Sequence, residues 1–135
     1  MTRPIKAKDH MSRTSVVFHA EMEIQAAMHL LLEHDVPGGP VVDKLGNLVG
    51  VLTEKDCLEA ALSASYYEEQ GGRVSEFMAS DVSTVDDDAD IVEVAKQFIR
   101  QPYRYFPVTK DNRVVGHIGR REVLKALELL RDEEF

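Results

Sequence analysis

The chain has one cysteine, no tryptophan and a deficit of cations, with 16 Lys and Arg against 24 Asp and Glu for a formal net charge of −8. Each scarcity excludes something. A lone Cys57 cannot close an internal disulfide, so a reducing, cytoplasmic setting is the expectation. There are five histidines but no cysteine pair and no His-x-x-x-His (His29 and His34 are five apart), so a structural zinc site lacks its ligand spacing and no metal is expected. No apolar run approaches the ~18 residues of a membrane span, which removes the membrane as a partner. The opening Met1-Thr2-Arg3-Pro4-Ile5-Lys6 is basic without the apolar stretch of a secretion signal. An acidic field repels phosphate backbones, so nucleic acid is disfavoured as a partner. Neither Gly-x-x-x-x-Gly-Lys nor Gly-x-Ser-x-Gly occurs, and no catalytic constellation is legible, so no enzyme activity is expected.

What the chain does have is a repeat. Ile24, Ala27, Met28, Leu31 and Leu32 are followed by Pro40-Val41 and then Val49-Gly50. Ile91, Val94, Ala95, Phe98 and Ile99 are followed by Pro107-Val108 and then Val115-Gly116. The offset is 67 through the helix (24 to 91) and 66 after it (50 to 116), which places a one-residue loss in a turn. So long a period marks a duplicated domain-sized unit rather than a solenoid.

Each copy reads β-α-β-β-α. An amphipathic opening segment (residues 5–11 and 73–78) precedes a short β-type run, Ser15–Phe18 and Val82–Val85. A helix follows, with apolar residues at i, i+3, i+4, i+7 and i+8. Asp88, three residues before Ile91, is a candidate cap for the second of these helices. Hairpins are expected from Pro40–Asp43 with Leu48–Leu52 and from Phe106–Thr109 with Arg113–Ile118. A closing helix carries Leu58, Ala61 and Leu62 in one copy and Val123, Leu124 and Leu127 in the other. The expected boundaries are 5–63 for the first unit, 64–72 for a linker and 73–130 for the second. Helices on one face of each small sheet leave apolar sheet faces for the two copies to bury.

The most informative short string is Gly50-Val51-Leu52-Thr53-Glu54-Lys55-Asp56. A strand gives way to a helix at Thr53, and Asp56 falls in the first helical turn. Two readings are open. Thr53 and Asp56 form an ordinary helix-capping box, or the free N–H groups of the helix start attract a phosphate while Asp56 accepts from a ribose diol. Asp86, Asp87, Asp88 and Asp90 lack an EF-hand pattern and read as a solvated turn with a helix cap. Cys57, beside Asp56, reads as a small buried residue.

The duplicated pattern, together with Pro40-Val41-Val42-Asp43, Gly50 to Asp56 and the openings ending in Met11 and Met78, resembles a tandem pair of cystathionine β-synthase (CBS) domains, a Bateman module. The resemblance covers residues 5–130, as expected of a stand-alone CBS-pair protein. It implies an α+β (α/β-like) fold of two units about a pseudo-two-fold, with clefts between the repeats. It also implies a regulatory module sensing an adenosine-containing metabolite: AMP, ADP or ATP, or else S-adenosylmethionine or NAD. No cofactor is required for this.

Carried over by position, the backbone at Val16 and Val17 would read the adenine edge, and Val36, Pro37 and Gly38 would wall the purine. Asp56 would take the ribose hydroxyls and Thr53 the sugar or α-phosphate. The matching positions of the second unit are Ser83, Thr84, Tyr103, Arg104, Tyr105, Gly119 and Glu122. There Gly119 replaces the hydroxyl residue and Glu122 is one methylene longer than Asp56, a departure from the family pattern. Arg104, Arg120 and Arg121 are candidate anion contacts; for Arg120 and Arg121 the alternative is a solvated helix start. The resemblance further implies a homodimer, with Leu58, Leu62, Leu124 and Leu127 on the closing helices as candidate surface, and a regulated protein whose identity the sequence does not give. The competing function is a structural homodimerisation module with no nucleotide.

Overall fold

The computed structural model describes residues 5–13, 16–67 and 71–134. In chain order the elements are α1 (Ala7–His10), β1 (Phe18–His19), α2 (Ile24–His34), β2 (Gly38–Val42), β3 (Leu48–Thr53) and α3 (Glu54–Tyr67). They are followed by α4 (Val74–Phe77), β4 (Val85–Asp86), α5 (Ile91–Arg100), β5 (Tyr105–Lys110), β6 (Arg113–Gly119) and α6 (Arg120–Glu134). The expected β-α-β-β-α order is present twice. The first strand of each copy is shorter than expected and begins later: Val16 and Val17 precede β1, and Val82 to Thr84 precede β4. The expected linker is partly helix, because α3 runs through Ala64 to Tyr67; residues 68–70 lie outside the described residues.

Two mixed three-stranded sheets result, ordered β1-β2-β3 and β4-β5-β6. In each, the first pair is parallel and the second antiparallel, with the same register irregularity at Val41/Val42 and at Val108/Thr109. The residue lost between copies is lost in the hairpin turn. Asp111 and Asn112 turn tightly with φ of 52° and 63°, as a two-residue hairpin turn requires. The first hairpin needs a longer turn, and there Asp43 Oδ1 accepts from the backbone of Leu45 and Asn47, both at 2.9 Å.

The helical period decides what is buried. Ile24, Ala27 and Leu31 of α2 pack with Phe18, Val41, Leu52, Cys57 and Ala60. Ile91, Val94 and Phe98 of α5 pack with Val85, Phe106, Val108, Ile118, Val123 and Ala126. Each fully buried large side chain contributes about 1.5–3 kcal/mol. The rings of Phe98 and Phe106 meet at 4.5 Å. The α5 helix is capped by Asp90, whose Oδ1 accepts from Val92 N at 2.8 Å, and not by Asp88. Asp88 is instead drawn to Lys6 and Lys8, at 3.4 and 3.0 Å.

The compact units do not coincide with the sequence repeats. One comprises residues 15–82; the other comprises residues 1–14 together with 83–135. The first repeat was expected to start at residue 5 and the second at 73, yet each opening segment packs in the unit built from the other repeat. The reason is a pair of equivalent backbone clamps. Ala7 N donates to Ala89 O, Lys8 N to Asp87 O and Ile91 N to Ile5 O, each at 2.9 Å. Val74 N donates to Met22 O, Ser75 N to Ala20 O and Ile24 N to Gly72 O, at 2.8–2.9 Å. Ala7 and Val74 are fully buried at the centres of these clamps. Asp9 and Glu76 stabilise the two short helices by accepting from Lys6 N and Arg73 N, at 3.2 and 2.7 Å.

Candidate functional site

In the unit of residues 15–82, strand register brings the expected residues to one end of the sheet. Gly38 pairs with Thr53 and Gly39 with Leu52. Val16 lies beyond β1 on the same side, its carbonyl oxygen 3.0 Å from where a Cβ on Gly39 would stand. Val16 is buried, Val17, Val36 and Gly38 are half-buried, and Pro37 is exposed. The loop is tied to the helix start, since Glu54 N donates to Pro37 O at 3.0 Å. Gly38 has no room for a side chain: a Cβ would come within 2.6 Å of the Leu52 carbonyl oxygen.

Thr53 and Asp56 form the capping box. Asp56 Oδ2 accepts from Thr53 N at 2.9 Å and from Thr53 Oγ1 at 3.0 Å, and Asp56 N donates to Thr53 Oγ1 at 3.3 Å. One carboxylate oxygen is thereby committed to the helix start. Among the described residues, no hydrogen bond uses the other, Oδ1. Both side chains are half-buried. The arrangement therefore holds a fixed carboxylate with one unengaged oxygen beside the positive end of a 14-residue helix.

Val36 also lines an apolar groove of about 260 Å³ between α2 and α3, together with Met28, Leu32, Cys57 and Leu58. Cys57 is buried; burial pushes its thiol pKa up, and the neighbouring Asp56 and Glu54 charges add to this. The helix start therefore does not turn it into a reactive thiolate.

The other unit brings its expected residues to the equivalent sheet end. Tyr105 pairs with Gly119, the register counterpart of Gly38 with Thr53. Ser83 and Thr84 are held by α5 and the residue after it: Gln101 Nε2 donates to Ser83 Oγ at 3.0 Å and Gln97 Nε2 to Thr84 O at 3.1 Å. Tyr103 is exposed and meets the edge of Phe106 at 5.8 Å. Arg104, Arg120 and Arg121 are exposed, and none joins an ion pair among the described residues. Glu122 is half-buried and accepts from Ser12 Oγ at 3.4 Å.

Three residues at this end, Ser12, His117 and Gln101, were given no role in the sequence reading, and Tyr105 was named there without its buried hydroxyl. Ser12 arrives from the opening segment of the other repeat, so nothing in the local string announces it. It pairs with His117 through backbone bonds of 2.8 Å in both directions. The His117 ring lies edge-on to Tyr105 at 6.0 Å. The Tyr105 hydroxyl and Gln101 Oε1 are closed off from solvent and have no hydrogen-bond partner among the described residues. Burial pushes the Tyr105 phenol pKa up. The repeat equivalence of Gly38 with Tyr105 and of Val51 with His117 was the available signal, since it shows small and apolar residues replaced by large polar ones.

The acidic cluster Asp86, Asp87 and Asp88 brings one carboxylate oxygen from each residue within 4.8 Å of the others. Its contacts are structural: Asp86 Oδ2 accepts from Asp88 N at 3.0 Å, and Asp88 pairs with Lys6 and Lys8. No helix among the described residues is long and apolar enough to cross a membrane.

Comparison with known proteins places this architecture. The sequence model of the CBS domain matches residues 7–63 and again residues 74–129. The chain is similar to the structure of CBSX2 in complex with AMP, with 25% identity and a TM-score of 0.77 over 93% of this chain and 98% of that one. It is similar also to the CBS domain pair of protein MJ0100 in complex with 5′-methylthioadenosine and S-adenosyl-L-methionine, with 25% identity and a TM-score of 0.74 over 93% and 98%. Among curated sequences it is 27% identical over 124 residues to the A-adding tRNA nucleotidyltransferase of Aquifex aeolicus, a match that spans 92% of this chain but only 14% of that protein. The duplicated β-α-β-β-α unit, the two equivalent sheet ends and the twofold match make the chain a member of the CBS-domain family, carrying two copies of the domain.

Proposed function

We propose that this protein is a regulatory module that binds an adenosine-containing metabolite at the sheet end where α3 begins. The observation that carries the reading is the Thr53–Asp56 box, which fixes a carboxylate with one oxygen unengaged at a helix N-terminus. That oxygen accepts from a ribose diol, and the N–H groups of the helix start receive a phosphate. The backbone at Val16 and Val17 lies at the same sheet end to read a base edge, with Val36, Pro37 and Gly38 beside it as its wall. The AMP of CBSX2 and the S-adenosylmethionine and methylthioadenosine of protein MJ0100 support the adenosyl class. Occupancy regulates a partner protein to the extent that the ligand prefers one arrangement of the chain over another.

Calorimetric and thermal-shift titrations with AMP, ATP, S-adenosylmethionine and NAD test this. At least one is expected to bind below millimolar and to raise the unfolding midpoint. If none binds, the sensing reading is lost.

A second reading, assembly of homodimers, rests on a different observation. Leu32 of α2 and its repeat equivalent Ile99 of α5 are 79% and 85% exposed, and Leu58 of α3 and its equivalent Leu124 of α6 are 64% and 65% exposed. The same unburied apolar pair thus stands on both units, a pattern suited to an isologous interface with a second copy. Leu62 is exposed as well, whereas Leu127 packs into its own core. The two readings are compatible, and only the titration separates a sensing dimer from a scaffold.

A further inference from the structure

The two repeats present different side chains at equivalent sheet ends. In the unit of residues 15–82 the closing pair of the hairpin is Gly38 with Thr53. In the other unit it is Tyr105 with Gly119. The glycine has changed strands, and a phenol now stands where the first repeat has no side chain at all. Two residues from Gly119 along the same strand face, Val51 has become His117, which packs its ring against Tyr105. Asp56 has become Glu122, one methylene longer. Both of its carboxylate oxygens lie over Gly119, 3.3 and 3.6 Å from where a Cβ at that position would stand. The Glu122 carboxylate is thus folded back toward the start of α6, as the Asp56 carboxylate is folded back toward Thr53. Ser12 Oγ donates to it at 3.4 Å and holds it there. Tyr105 completes the arrangement, with a hydroxyl closed off from solvent.

We propose that Tyr105 is a specificity-determining residue that fills the second repeat's half-site with the protein's own side chain, leaving each chain one adenosyl site instead of two. The inference deepens the proposed function and rests on it for the first site only. Gly119, the strand partner of Tyr105, also lacks the hydroxyl that Thr53 supplies in the other unit. Arg104, Arg120 and Arg121 remain exposed at this end; with the half-site filled by Tyr105, they have no nucleoside to orient and attract anions only diffusely.

Backbone amide shifts of the wild-type chain, titrated with AMP, read both sites separately. The expected result is saturable change at residues 53–56 and none at residues 105 and 119–122. Saturable change at both ends overturns the closure. No change anywhere sinks the adenosyl reading of the first site while leaving the closure standing. Change at 119–122 alone overturns both. The variant Tyr105→Gly/Gly119→Thr/Glu122→Asp restores the first repeat's residues and is expected to gain one equivalent of AMP by calorimetry. A folded variant with no gain shows that these side chains are not what closes the site. If the variant does not fold, the wild-type titration still decides.

Discussion

Lys8 Nζ stands 3.0 Å from Asp88 Oδ1 and fastens the opening helix of the first repeat to the strand end of the second. The lysines beside it hold the Asp88 carboxyl below the usual aspartate pKa, through a hydrogen bond from Lys8 first and one from Lys6 second. The same contact raises Lys8 above the usual lysine pKa. A depressed carboxylate contributes stability above its unfolded value of about 3.9, and that contribution is lost as pH falls through the folded value. A raised lysine contributes below its unfolded value of about 10.4 and loses that contribution as pH rises through the folded one. Asp88→Ala is therefore expected to lower the unfolding midpoint at pH 7, and to lower it less at pH 3 or in 1 M salt. Both groups are exposed, so the effect is small and screened. A midpoint difference that is the same under all three conditions contradicts the ionic account.

The capping box makes separable predictions for stability and for binding. Thr53→Ala removes a hydroxyl that both donates to Asp56 and accepts from its amide, at an expected cost of about 1 kcal/mol in chemical denaturation. Thr53→Ser keeps the hydroxyl and is expected to stay near wild type. Asp56→Asn leaves a side chain that can still cap but removes the charge. It is expected to weaken AMP binding roughly tenfold or more, as the loss of a charged hydrogen bond implies. Unchanged affinity in Asp56→Asn, measured by calorimetry, assigns the carboxylate to the helix alone.

Tyr105→Phe should not destabilise the protein. Its hydroxyl is buried with no partner among the described residues, a situation that costs about 1–3 kcal/mol, so its removal is expected to be neutral or to stabilise by up to ~1 kcal/mol. The phenol pKa is raised by burial. As pH rises past the ordinary tyrosine value of about 10, the unfolded chain ionises first and wild-type stability falls. The Tyr105 share of that fall should vanish in the phenylalanine variant. Denaturant unfolding across pH 8–11 measures both effects, and a loss above 1 kcal/mol at neutral pH reveals a partner for the hydroxyl.

Leu58→Glu combined with Leu62→Glu places two charges on an exposed helix face and leaves both unit cores untouched. Sedimentation equilibrium is expected to show a dimer for wild type and a monomer for the variant, with circular dichroism unchanged. A monomeric wild type removes the assembly reading.

Much of the architecture was legible because duplication doubles every signal. The apolar period of Ile24 to Leu32, seen again at Ile91 to Ile99, fixed both core helices, and the paired Pro-Val strings located both hairpins. What local strings could not give is partnership across sequence distance. Asp88 reads as a helix cap, but Asp90 stands directly before Ile91 and takes that role, while Asp88 pairs with two lysines from the first repeat. Leu127 looks like surface beside Leu124, yet it lies on the core side of α6. At the candidate site, Thr53 and Asp56 were readable as a box, since capping is local. Ser12 and the buried Tyr105 hydroxyl were not, because each depends on which strand end is brought beside which.

Because residues 5–11 close the unit built from 83–135, and 73–78 close the unit built from 15–67, the chain is laced like a boot. Severing it between Tyr67 and Gly71 is expected not to yield two autonomous halves. Each fragment keeps the other's fastening and lacks its own. Separately expressed, the fragments should be unstable; mixed, they should rejoin and rescue one another. Each compact unit thus holds residues of both copies, so a single copy taken alone carries an opening segment with nothing to fasten.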